Sequence, residues 1–173
     1  SLDAAALDRV WRLVTPNKAL GLTGVRAAYA IAPRDANAEL LARVRLLAPS
    51  WPLGAHGVAL LQAWARDEVH DWLLACRDSL RLWKARQMAL LTGIGWQVQP
   101  SDANFFVAAR ACLSSTGGLF DSKAGLDDLR AQGFKLRDCA SFGLPGRVRM
   151  AVVAPEVQDA LVSALLTKAK EAA

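Results

Sequence analysis

"VTPNKALGLTGVRAAYAIA", Val14–Ala32, is the stretch from which the rest of the chain can be read. It carries two cations, Lys18 and Arg26, and no acid. Val10–Val14 before the cations and Ala27–Ala32 after them have the short apolar pattern of buried strands. The residues between are therefore expected to form a tight loop joining two strands. Pro16 stiffens its first turn, and Gly21 and Gly24 let the backbone approach a ligand or take conformations that other residues avoid. Thr15 sets a hydroxyl just ahead of the Lys18 amine, and Arg26 adds a fixed positive charge where the second strand begins.

A hydroxyl, a guanidinium and nearby backbone donors suit a phosphate group. A lysine beside them, once partly withdrawn from water, is a nucleophilic amine. An amine next to a phosphate cradle is what pyridoxal 5′-phosphate requires, because its aldehyde bonds the amine while its phosphate is anchored. A solvated cationic loop accounts for the same residues without a ligand, and the loop chemistry leaves both readings open. Gly-Leu-Thr-Gly is not a dinucleotide fingerprint, since it lacks the spacing and the strand-to-helix setting.

The 173 residues are 53% hydrophobic and 21% charged, which is a globular composition rather than a disordered one. No apolar run reaches the roughly 18 residues of a membrane span. The start, "SLDAAALDRV", lacks the apolar core of a secretory signal and has no initiator Met, so it is expected to be a cut inside a larger protein or a processed end. Cys76, Cys112 and Cys139 are odd in number and far apart, with only His56 and His70 to assist them. Neither a disulfide framework nor a metal site is expected, and a reducing cytoplasm fits three idle thiols. The net charge of +5 raises nucleic-acid binding. Its cations are scattered, however, and Arg77, Arg81, Lys84 and Arg86 share a helix with Glu68, Asp71 and Asp78, so no nucleic-acid partner is expected.

Further along, Ala36–Leu47 has helical spacing with Asp35 or Asn37 as cap. "APSWPLG" breaks it, and helices follow at 55–66 and 67–91. In the longer helix Val69, Leu73, Cys76, Leu80, Trp83 and Leu90 form one stripe. Strands are expected at 96–99, 103–109, 134–138 and 147–153. A Ser/Gly-rich loop "SSTGG" and a helix at 123–132, stopped by Gly133, lie among them. Pro155 opens a last helix, with Lys168 and Lys170 near its negative end. The result is an α/β chain whose residues 34–173 form an α+β small domain.

"TPNKALGLTGVRAAYAIA" resembles the lysine segment of the class I/II pyridoxal-phosphate aminotransferases, (S/T)-x-x-K-x-x-(G/A)-L-x-G-x-R-x-G-(Y/F), with Ala28 where the family often has Gly. "PSDANFFVA" is similar to a small-domain strand of that family, and "GFKLRDCASFGLPGRVRMAV" to its C-terminal arginine segment. The likeness is greatest to the branch of histidinol-phosphate aminotransferase and threonine-phosphate decarboxylase. The resemblance implies pyridoxal 5′-phosphate as cofactor and Lys18 as the Schiff-base lysine that also moves the substrate proton. It implies Thr15 and Arg26 on the cofactor phosphate and Arg149 on the substrate α-carboxylate, with Arg147 as competitor because strand alternation puts both on one face. Asn104 and Phe105 are assigned to architecture, and His56 and His70 to helix surfaces.

The resemblance further implies the C-terminal portion of a fold-type I enzyme, with residues 1–33 ending the large cofactor-binding domain and 34–173 forming the small domain. The glycine-rich phosphate loop, the stacking ring and the aspartate on the pyridine nitrogen would then lie upstream, so little activity is expected of this portion alone. Its partners would be an amino acid and a 2-oxo acid, within a cytoplasmic biosynthetic homodimer. Decarboxylation of a phosphorylated amino acid is the alternative chemistry. A non-catalytic interaction module that kept the small-domain fold is the alternative from another class.

Overall fold

The computed structural model describes residues 3–110 and 123–171. The "SSTGG" segment and Cys112 lie outside the described residues. Contacts divide the chain into two compact units, Ser1–Cys76 and Arg77–Ala173. This division falls inside a long helix, whereas the sequence places a domain boundary after residue 33.

In the first unit a short α1 (Ala4–Leu7), which no sequence pattern announced, leads into β1 (Arg12–Val14). β1 pairs antiparallel with β2 (Tyr29–Ile31), with Leu13 opposite Ala30, so the lysine loop connects two neighbouring strands. α2 (Ala38–Leu47) starts at Asn37, whose side-chain oxygen accepts from the Glu39 and Leu40 amides. α3 (Ala55–Trp64) follows the Pro-containing break. Its Gly57 is buried, and a Cβ there would stand 2.9 Å from the Arg26 carbonyl oxygen. The missing side chain thus lets the helix seat directly on the loop backbone at Arg26, ahead of β2. Trp64 then donates from Nε1 to the Tyr29 hydroxyl at 3.1 Å, tying α3 to β2.

α4 (Asp67–Gly93) runs from the first unit into the second. The second unit holds one antiparallel sheet in the order β3 (Trp96–Val98), β4 (Phe105–Arg110), β6 (Val148–Ala151), β5 (Arg137–Asp138). α5 (Lys123–Ala131) and α6 (Pro155–Glu171) complete it. Leu91, Trp96, Phe106, Ala108, Leu129, Val148, Met150, Leu161 and Leu165 form a single buried cluster. Those residues come from three helices and from one face of the sheet, so the helices form a layer on that face. Each large side chain buried there is worth roughly 1.5–3 kcal/mol relative to exposure. Gly133 ends the α5 segment with φ +92°, a conformation that side-chain-bearing residues rarely take.

The expected strands are shorter than their apolar pattern, with Val10–Val14 reduced to Arg12–Val14 and Ala27–Ala32 to Tyr29–Ile31. The 134–138 strand reduces to Arg137–Asp138, and the 147–153 strand to Val148–Ala151. Beyond Ala151 the chain pairs with side chains in place of a strand neighbour. Gln87 Nε2 donates to the Ala151 carbonyl at 3.1 Å, and Gln87 Oε1 accepts from the Val153 amide at 3.1 Å. Gln158 donates to the Val153 and Trp83 carbonyls, and Arg86 holds both Gln158 and Asp159. At the same end of the sheet Lys84 bonds the Ser101 and Ala103 carbonyls and pins the β3–β4 connection.

Candidate active site

The lysine loop is held mainly by its own backbone. Leu20 donates to the Pro16 carbonyl, Leu22 to the Asn17 carbonyl at 2.8 Å and Gly21, with φ +69°, to the Lys18 carbonyl. Asn17 is buried, and its side-chain oxygen accepts from the Thr15 hydroxyl at 2.8 Å and the Lys18 amide at 2.9 Å. Thr15, Asn17, Arg26, Ala27 and Pro52 line one open cleft of about 390 Å³. The structure therefore brings two of the sequence-nominated residues, Thr15 and Arg26, to the same hollow. Lys18 follows Asn17 directly, is exposed, and is not part of that lining. Asn17 went unnoticed in the sequence because its work is internal. It turns the loop by accepting two bonds at one oxygen, a habit of Asn at turns that marks no ligand.

The donor set fits a phosphate monoester. Arg26 supplies a permanent cation with five N–H donors. Thr15 supplies a hydroxyl whose proton points at Asn17 in this structure. Rotation about one bond redirects that proton to an anion without moving a heavy atom.

In the second unit Arg149 lies on β6, opposite Val107 of β4 on one side and Arg137 of β5 on the other. Val148 and Met150 are buried on the helix side, so the half-buried Arg149 belongs to the opposite face. Its guanidinium carbon stands 4.8 Å from the centre of the Phe105 ring and 5.9 Å from that of Phe142. The Arg137 guanidinium lies 5.6 Å from the same Phe142 ring. Among the described residues no carboxylate is within ion-pair distance of either arginine. Cys139, buried beside them, has its thiol pushed above its ordinary range by desolvation. The Arg149 and Arg137 charges oppose that shift and Asp138 reinforces it.

Arg147 lies one residue before β6 and stacks on no ring among the described residues, and its carbonyl accepts from the Cys139 amide at 3.0 Å. Phe105, assigned to architecture from sequence, in fact faces Arg149. The Asn104 carbonyl accepts from the Val152 amide at 3.0 Å. His56 and His70 are both exposed. His70 Nε2 lies 2.7 Å from the Trp64 carbonyl, at the end of α3.

The sequence profile of the family "Aminotransferase class I and II" matches residues 6–165. This chain belongs to that family. Its members depend on pyridoxal phosphate. A histidinol-phosphate aminotransferase of Ruegeria pomeroyi is 30% identical over 155 residues, covering 86% of this chain and 38% of the relative. The chain thus spans well under half the length of the curated relatives it matches. A solved structure of a putative aminotransferase from Burkholderia pseudomallei superposes with a TM-score of 0.67 at 26% identity, over 90% of this chain and 44% of that one. The histidinol-phosphate aminotransferase of Clostridium acetobutylicum gives a TM-score of 0.70 at 20% identity over 90% and 44%, which shows the shared fold. The fold is accordingly that of the fold-type I aminotransferases over part of their length. Such partial coverage agrees with the C-terminal portion implied by the order of the motifs.

Proposed function

We propose that this chain carries the lysine, part of the phosphate grip and the carboxylate-binding arginine of a pyridoxal-phosphate-dependent aminotransferase. The reaction would move an amino group between an amino acid and a 2-oxo acid. The observation that supports this most directly is the cleft shared by Thr15 and Arg26, next to the Lys18 turn, in a chain of this family.

When bound, pyridoxal phosphate draws electron density from the substrate Cα and so lets its proton leave. Thr15 and Arg26 would hold the phosphate. The Lys18 amine would hold the aldehyde carbon until the substrate amine replaces it, and the freed amine would then carry the Cα proton to the former aldehyde carbon. Arg149 would orient the substrate through its carboxylate, where a planar guanidinium matches two oxygens. Arg137, directly across the ladder, offers a second cation. The pair suits substrates that present a carboxylate or a phosphate ester, the group borne by histidinol phosphate, for which the relatives are named.

In this reading residues 1–33 close the large domain and 34–173 form the small one. The remaining machinery comes from length that the relatives have and this sequence does not, so this chain alone turns over little. The intact enzyme would be a cytoplasmic, biosynthetic homodimer.

The test is borohydride reduction with pyridoxal 5′-phosphate, on this chain and on a version extended upstream, followed by peptide mass mapping. The expected result is a tag on Lys18, lost in Lys18→Ala and strongest in the longer chain. Absence of a tag in both would remove the enzyme reading and favour an interaction module. Release of carbon dioxide from a phosphorylated amino acid, without a 2-oxo acid product, would assign decarboxylation in place of amino transfer.

A further inference from the structure

Arg137 and Arg149 occupy facing positions on adjacent antiparallel strands. Like charges directly opposite one another are unfavourable, and no described carboxylate compensates this pair. What lies against both is Phe142. Its ring is 5.6 Å from one guanidinium carbon and 5.9 Å from the other, within the range of cation–π attraction. The ring is 55% exposed, so core burial does not explain its place.

The backbone beneath it is closely held. Asp138 Oδ1 accepts from the Ala140 amide at 2.9 Å, and the Phe142 amide donates to the Cys139 carbonyl at 2.9 Å. Gly143, with φ +74°, then turns the chain back, and Cys139 donates to the Arg147 carbonyl across the base of the loop. A 3₁₀ turn (Ala140–Phe142) with a hydrogen-bonded backbone thus presents an aromatic ring to two cationic side chains. An arginine that stacks keeps its in-plane N–H donors free for an anion.

We propose that Phe142 is a positioning and specificity residue. Its ring holds the Arg137 and Arg149 guanidinium groups together, so that one substrate anion can be gripped by both or two anionic groups can be read at once. The inference rests on Arg149 binding a substrate anion, as set out above.

The test follows the arginine Nε–Hε resonances of this chain by NMR, assigned with Arg137→Gln and Arg149→Gln. Inorganic phosphate and acetate are titrated separately at constant ionic strength. Phosphate is expected to move both resonances along one curve, tighter than acetate. Phe142→Leu should weaken phosphate binding about three- to tenfold and bring the two anions level, whereas Phe142→Tyr retains the preference. Thermal unfolding of both variants, recorded alongside, should show that each is folded at the temperature of the titration. Equal phosphate affinity in wild type and Phe142→Leu would overturn the inference and leave the Arg149 assignment standing. If neither arginine responds to either anion in wild type, the Arg149 assignment falls and the inference with it.

Discussion

Gln87 shows how one residue escapes a hydrophobic pattern while obeying its geometry. The half-buried stripe of α4 runs through Val69, Leu73, Cys76, Leu80 and Trp83, and helical spacing puts its next seat at position 87. That seat holds a glutamine that is 1% exposed. A polar residue there looks like a break in the stripe until its partners, Ala151 and Val153, are seen from far along the chain. The carboxamide acts as a neighbouring strand would, donating to one carbonyl and accepting from the amide two residues on. Gln87→Leu would strand both backbone groups in the interior. We expect it to cost about 2–4 kcal/mol, read as a lower urea midpoint with unchanged slope. A change below about 1 kcal/mol would mean that water or a shifted backbone replaces the amide.

At the scale of elements, the contact between α3 and the loop backbone at Arg26 sets where that residue sits. Gly57 permits it, since any Cβ at that position meets a backbone oxygen that no side-chain rotation can move. Gly57→Ala should destabilise the chain by about 1–3 kcal/mol, measured by thermal melting. In the holoenzyme it should also weaken retention of pyridoxal phosphate, because the added Cβ would push on the Arg26 backbone itself. Unaltered melting would show that α3 can slide without loss. The helices themselves were largely legible, because Asn37, the Pro-containing break, Gly133 and Pro155 act locally. The short β5 and β6 were not. The apolar run of β6 continues to Val153, yet the strand ends where side chains from α4 and α6 replace a strand partner.

On the scale of the whole molecule, each unit meets its apolar surface differently. The second unit buries a continuous core between three helices and one sheet face. The first leaves Leu13, Leu46, Leu47 and Trp51 at least 80% exposed, and α2 contains no buried residue. β1 and β2 form a two-stranded sheet whose outer edges pair with no other strand among the described residues. Exposed apolar surface together with open strand edges promotes association. Sedimentation velocity should show this chain growing in mass with concentration, and Leu46→Ser with Leu47→Ser should suppress that growth. A concentration-independent monomer would show that α2 and the open edges do not associate.

Local chemistry was enough to locate the lysine loop, its flanking strands, the helix caps and the arginine segment, and to place the chain in its family. Turns, caps and motif spacing act over a few residues, so their signals are contiguous in the sequence. Three features depend on residues that meet only after folding. Asn17 joins Thr15 in holding the loop, Arg137 faces Arg149 across a strand ladder, and Phe142 lies against both guanidinium groups. Charge repulsion, ring stacking and buried amide bonding depend on distance in space, which chain separation does not reveal until strands have chosen their neighbours.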